Sequence, residues 1–181
     1  MELQETNLNC QIPSMRSFAE AGAICPSASP LRKAKLFLRR SISPRTERSL
    51  KNFTNDLLNR FFAFVGKPPK PAAPPVAIAS APLEPGDVVR VRSRAEIEAT
   101  LNHWRQLKGC AFMPEMAPFC GSTQRVLKRM ERFVDERDLR VKKSKGIILL
   151  EGVLCRGTAE FGSCDRSCFV FWREEWLEKI Q

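Results

Sequence analysis

Tyrosine is absent from this chain of 181 residues, and histidine occurs once, as His103. A single imidazole excludes centres that need two, among them two-histidine zinc sites, His-Glu-x-x-His proteases and histidine–carboxylate iron sites. Glycine is sparse, and neither Gly-x-x-x-x-Gly-Lys nor Gly-x-Gly-x-x-Gly occurs, so nucleotide binding of those types has no support. Long apolar runs are missing too: the longest near the start, Phe61 to Val65, is far short of the ~20 residues that span a bilayer. The chain opens Met1, Glu2, Leu3, Gln4, Glu5, without the basic and then apolar start of a signal peptide. A Ser- and Arg-rich stretch over residues 15–48 has some transit-peptide flavour, but acidic residues lie on both sides of Met15. The expected location is the cytoplasm.

What is present is positive charge, proline and cysteine. Lys and Arg number 30 against 20 Asp and Glu, for a net +10, and 43% of the residues are hydrophobic, enough for one core. The charge divides unevenly. Residues 1–65 hold ten basic and five acidic side chains, residues 66–85 two and one, and residues 86–181 eighteen and fourteen. Residues 66–85 contain Pro68, Pro69, Pro71, Pro74, Pro75, Pro82 and Pro85, a composition that favours an extended spacer. The chain therefore reads as a basic region with amphipathic helices (1–65), a Pro-rich linker (66–85) and a Cys-rich α+β domain (86–181).

In the basic region Leu50, Phe53, Leu57, Leu58, Phe61, Phe64 and Val65 recur at helical spacing, with Thr46 as the expected cap. A second short stretch, residues 31–40, interleaves Leu31, Leu36, Phe37 and Leu38 with five cations. Such helices need a partner surface. They can pack on the C-terminal domain or on each other, dock on a partner protein or a membrane surface, or meet nucleic acid.

From Gly86 the pattern is that of a folded domain. Val88 to Arg92 alternates Val and Arg behind a Pro-Gly-Asp turn, which predicts a strand. Ser93 and Glu96 form a capping box, and Ile97, Leu101 and Trp104 extend the predicted helix from Arg94 to about Trp104. Residues 124–134 fit one helical face but also a long strand. The strand is preferred because it gives the apolar residues 146–153 a partner. Residues 135–146 read as charged turn, and the closing Phe and Trp residues as a strand running into a short helix. The predicted fold is a small curled antiparallel β-sheet or partly open barrel with a capping helix, behind a helical or disordered N-terminal region.

The chemical signal is a cluster of thiols. Cys155, Cys164 and Cys168 fall within fourteen residues among Gly157, Gly162 and Ser163. A tetrahedral soft-metal site needs a fourth sulfur, for which Cys120 is the first candidate and Cys110 the second. Four thiolates suit zinc or an iron–sulfur cluster. Ordinary buried thiols and a redox disulfide pair are the alternatives. The polar setting Gly-Ser-Cys-Asp-Arg-Ser-Cys favours metal, because a chain does not place core residues that way. Cys10 and Cys25 receive no role.

Residues 86–181 resemble a family of small, uncharacterised bacterial proteins through several motifs together. These are Gly86 to Ser93, Phe112 to Met116 (Phe-Met-Pro-Glu-Met), Cys120 with Gly121, Leu150 to Gly152, Cys164 with Cys168, and the Phe-Trp-x-Glu-x-Trp-Leu tail from Phe171 to Leu177. The resemblance implies an accessory factor beside biosynthetic genes and no particular activity.

A cysteine nucleophile would need a base, and His103 sits on a predicted helix whose apolar face includes neighbouring Trp104, the setting of a surface or half-buried histidine rather than a catalyst. The expectation is a zinc-binding accessory or interaction module rather than an enzyme. An iron–sulfur electron carrier assisting a biosynthetic enzyme is one alternative. The other is a small nucleic-acid-binding barrel using Arg90, Arg92, Arg94, Lys142, Lys143 and Lys145.

Overall fold

The computed structural model describes residues 42–66, 82–136, 139–158 and 162–180, together with Met15, Pro30, Ala34, Phe37 and Leu38. Most of the stretch read as a second short helix, most of the Pro-rich linker, and Cys10 and Cys25 lie outside the described residues.

The first element is helix α1 (Pro44–Phe64), and its start follows from local chemistry. Ser43, not Thr46, is the N-cap: its hydroxyl accepts from the Thr46 N–H at 3.2 Å, and proline takes the first helical position, where no N–H is missed. Strand β1 (Val88–Val91) follows, and then the short helix α2 (Arg94–Ala99), which carries the expected capping box of Ser93 and Glu96. Helix α2 stops well before Trp104. The Asn102 side chain accepts from the backbone N–H groups of Trp104 and Gln106, both at 2.9 Å, and Arg105 takes a φ of 55°, so the chain turns instead of continuing.

Strands β2 (Gln106–Leu107) and β3 (Cys110–Ala111) form a small hairpin, followed by a 3-10 turn over Pro114–Phe119. The ambiguous segment is a strand: β4 (Thr123–Asp135) pairs with β5 (Arg140–Leu150) as a long antiparallel ribbon. The expected charged turn is shorter than read, because residues 140–146 belong to β5 and Lys142, Lys143 and Lys145 are strand residues. After β6 (Gly157–Thr158) and β7 (Gly162–Ser163) come β8 (Trp172–Arg173), a 3-10 turn over Glu174–Trp176 and β9 (Leu177–Lys179). The chain thus closes on a strand, not a helix, and β9 is held by pairing with β1.

The protein is α+β. Its main sheet has five antiparallel strands in the order β8-β5-β4-β1-β9, curled but not closed into a barrel. One face carries Val89, Val91, Val126, Ile148, Leu150 and Trp172, all fully buried, and the core reaches back to Leu83, inside the stretch read as linker. Burying each such side chain contributes roughly 1.5–3 kcal/mol. The Trp176 indole N–H donates to the Thr100 hydroxyl at 3.0 Å, which fastens the end of α2 to the end of the sheet. Among the described residues no helix is long and apolar enough to cross a membrane.

Candidate metal centre

Three of the four predicted ligands lie in the loop that joins β5 to β8. Beyond β5 the chain pairs with itself: Leu154 bridges Phe169, and the Cys155 N–H donates to the Cys168 carbonyl at 2.6 Å. Cys155 and Cys168 are therefore opposite one another, and antiparallel pairing sends opposed side chains to the same face with Cβ atoms ~5 Å apart. The loop then folds into the β6–β7 hairpin, and the Cys164 N–H donates to the Arg156 carbonyl at 3.2 Å. Between Cys164 and Cys168 the residues Asp165 and Arg166 form a turn, which Ser167 ends with a φ of 53°. Cys164 and Cys168 thus flank one exposed turn, and Cys155 faces the second of them.

The surroundings of the turn are polar. Arg166 reaches Glu136 at 2.5 Å, tying the loop to the tip of the β4–β5 ribbon. Cys155 is half-buried against the core, and its sulfur lies 3.4 Å from the Gly157 nitrogen, as an acceptor of that N–H. All five described cysteines are free.

The two candidates for a fourth sulfur sit elsewhere in the sequence and in different surroundings. Cys120 follows the 3-10 turn and packs against the same core as Cys155. Burial pushes its thiol up; Arg94 opposes that shift and Glu98 adds to it. Cys110 directs its sulfur to the Phe171 carbonyl at 3.5 Å, and burial pushes its thiol up to about 11, with Arg173 opposing and Glu175 adding. Among the described residues no group of three or more His, Cys, Asp or Glu side chains is assembled to hold a metal ion. The backbone brings Cys155, Cys164 and Cys168 into one loop but does not bring Cys120 to them.

His103 is not on a helix but in the turn after α2. Its ring stacks on Phe62 with centroids 5.3 Å apart, and Nε2 lies 2.9 Å from Asn59 Oδ1. These contacts make it an anchor for α1.

Two features escaped the sequence reading. Arg173 and Glu175, both buried, form a two-bonded ion pair at 2.9 and 2.8 Å, with Lys108 on the same carboxylate at 2.5 Å. Burial alone would raise the Glu175 pKa, but hydrogen bonds from Arg173 and Lys108 outweigh it and hold the carboxyl at about 2. The second feature is a shallow groove of about 660 Å³ on the ribbon, lined by Arg129, Glu131, Arg132, Lys143, Ser144, Lys145 and Gly146. It forms where the pairing shifts between Met130 and Arg132, so that Glu131 alone opposes Ser144, Lys145 and Gly146. The Arg173–Glu175 pair is local, but its burial and its Lys108 contact depend on which elements meet, as does the groove, so residue spacing carries no signal for either.

No protein-family model matches the chain, and neither a curated protein nor a solved structure shows significant similarity to it.

Proposed function

We propose that the chain is a metal-binding accessory module that takes zinc on its Cys155, Cys164 and Cys168 thiolates in a reducing cytoplasm. The observation that carries this reading is the opposition of Cys155 and Cys168, with Cys164 at the other end of a five-residue turn. Thiolates are the donors zinc prefers in structural sites, and a loop with few apolar residues gains order from a bound ion that its own packing does not supply. A fourth donor would have to come from Cys120, the first candidate, or Cys110; both lean on the same core as Cys155, with their sulfurs toward the Met116 and Phe171 carbonyls, and either would have to move to reach the loop. When bound, the metal would order the loop; no catalytic step is assigned to it. An accessory role also fits what the family resemblance implies.

Metal content and colour of anaerobically purified full-length protein test the proposal. One zinc per chain in a colourless protein is the expected result. A brown protein with iron and sulfide would establish the iron–sulfur alternative, and a metal-free protein that fails to take up zinc would refute both.

The groove on the ribbon favours a second reading, nucleic-acid binding. Arg132 and Lys143 are directly opposed in register, and neither they nor Lys145 has an ion-pair partner among the described residues. Like charges placed opposite each other destabilise a sheet unless an anion lies between them, and a phosphate backbone would supply one. Binding to single-stranded RNA that falls steeply with salt, and that Arg132→Gln with Lys143→Gln abolishes, would support it.

A further inference from the structure

Helix α1 is attached to the domain by the side that carries Asn55, Asn59 and Phe62. Asn55 is buried, and its Oδ1 accepts from the His103 backbone N–H at 3.2 Å. Asn59 meets the His103 ring, and the Trp104 indole N–H donates to the Lys51 carbonyl at 3.2 Å. On the opposite side of the helix five large apolar side chains face water: Leu50 is 53% exposed, Phe53 66%, Leu57 56%, Phe61 60% and Phe64 91%. An amphipathic helix that completes a core does the reverse, turning its apolar stripe inward. Here the stripe points away from the only domain that the helix touches among the described residues.

We propose that this outward face of α1 docks in the interface of an anionic lipid bilayer, with the helix lying in the membrane plane. At 21 residues α1 is about 30 Å long, yet it is not apolar enough to span a membrane, which leaves the in-plane arrangement. Phenylalanine and leucine on one face with cations around them are what such helices carry. Arg60 borders the stripe and Arg45 lies toward its N-terminal flank, while Arg48 is on the Asn55 side; none of the three has an ion-pair partner among the described residues, whereas Lys51 is already paired with Glu47 at 2.8 Å. The sequence on the N-terminal side is basic as well, so the charge is complementary to anionic headgroups. A second copy of the chain fits the face less well. In either heptad phase written on Leu50, Leu57 and Phe64 one of the exposed phenylalanines is left out of the seam: one phase takes Phe53 but then Arg60, whose charge a paired helix would bury, and the other takes Thr54 and Phe61 and leaves Phe53 outside. The inference is independent of the metal reading.

The test is sedimentation of the full chain with vesicles of phosphatidylcholine containing one-third phosphatidylserine, compared with pure phosphatidylcholine. Binding to the anionic vesicles is expected, weakened only partly by 0.5 M salt. The variant Phe53→Ser, Leu57→Ser, Phe61→Ser, Phe64→Ser should lose at least tenfold in vesicle affinity with unchanged far-ultraviolet circular dichroism, since these side chains are exposed. Arg45→Gln with Arg48→Gln and Arg60→Gln should lose several-fold on anionic vesicles only. Failure to bind vesicles, or binding that the four serine substitutions leave intact, would overturn the proposal. So would a lipid-free dimer in sedimentation velocity that those substitutions dissolve, which would assign the face to a second copy.

Discussion

Cys155 and Cys168 face each other across the base of the loop between β5 and β8, joined by a backbone hydrogen bond of 2.6 Å from the first to the second. Thirteen positions apart in sequence, they become neighbours because the β6–β7 hairpin folds the intervening residues back on themselves. Cys164 stands at the far side of the following turn, so the loop offers thiols from two directions.

That arrangement depends on Gly157, whose φ of 110° is accessible to glycine and strained for other residues. An added Cβ there would also run into the Gly162 carbonyl oxygen. Gly157→Ala should open the β6–β7 hairpin and release bound zinc while the five-stranded sheet stays folded. Zinc content and circular dichroism of the variant check both halves of the expectation.

Thiol accessibility separates the cysteines. Cys164 is exposed, whereas burial holds the Cys110 thiol up at about 11 and thus protonated at neutral pH. After treatment with a chelator, iodoacetamide at pH 8 should modify Cys164 in the folded protein much faster than Cys110, because only the thiolate is the nucleophile. Peptide mass spectrometry of timed samples reads the order. Modification of Cys110 at a rate comparable to Cys164 would contradict the described burial.

Glu175 links stability to pH. Its folded pKa, about 2, is below the ordinary 4.5, so the Arg173–Glu175–Lys108 contribution is complete above about pH 4.5 and lost as pH falls through about 2. Glu175→Gln removes the charge from a buried pair and should cost about 3–5 kcal/mol at pH 7. The penalty should shrink toward zero at pH 2, as followed by urea unfolding at both values.

Gly146 tests the ribbon. It has a φ of 67°, and an added Cβ would stand 2.7 Å from Glu174 Oε1 and 2.9 Å from Arg173 Nη2. Gly146→Ala is expected to destabilise the protein by about 1–3 kcal/mol through backbone strain and displacement of the Glu174 and Arg173 side chains. Thermal unfolding measures it.

Much of the fold could be read from local chemistry. The Ser93–Glu96 capping box, the alternation of β1 and the need of residues 146–153 for a partner each pointed to the element found. The errors have local causes as well. The end of α2 was placed too late because apolar spacing continues to Trp104, while the two hydrogen bonds accepted by the Asn102 side chain stop the helix. Cysteine spacing singles out this loop only as a candidate and does not give the opposition of Cys155 and Cys168, which rests on the three residues from Asp165 to Ser167 that the facing strand does not match. The apolar stripe of α1 was visible in the sequence. Its direction was not, because that is decided by Asn55 and Asn59 meeting His103 more than forty positions away.

The most direct test of the metal reading is titration of the reduced, metal-free full chain with cobalt(II), followed by absorption. Cobalt bound by thiolates should give an intense near-ultraviolet charge-transfer band that saturates at one ion per chain and is displaced by zinc. Cys155→Ser, Cys164→Ser and Cys168→Ser should each weaken it strongly, and Cys110→Ser should leave it unchanged. Absence of the band in the native chain, or a band that survives loss of both Cys155 and Cys168, would contradict a metal site in this loop.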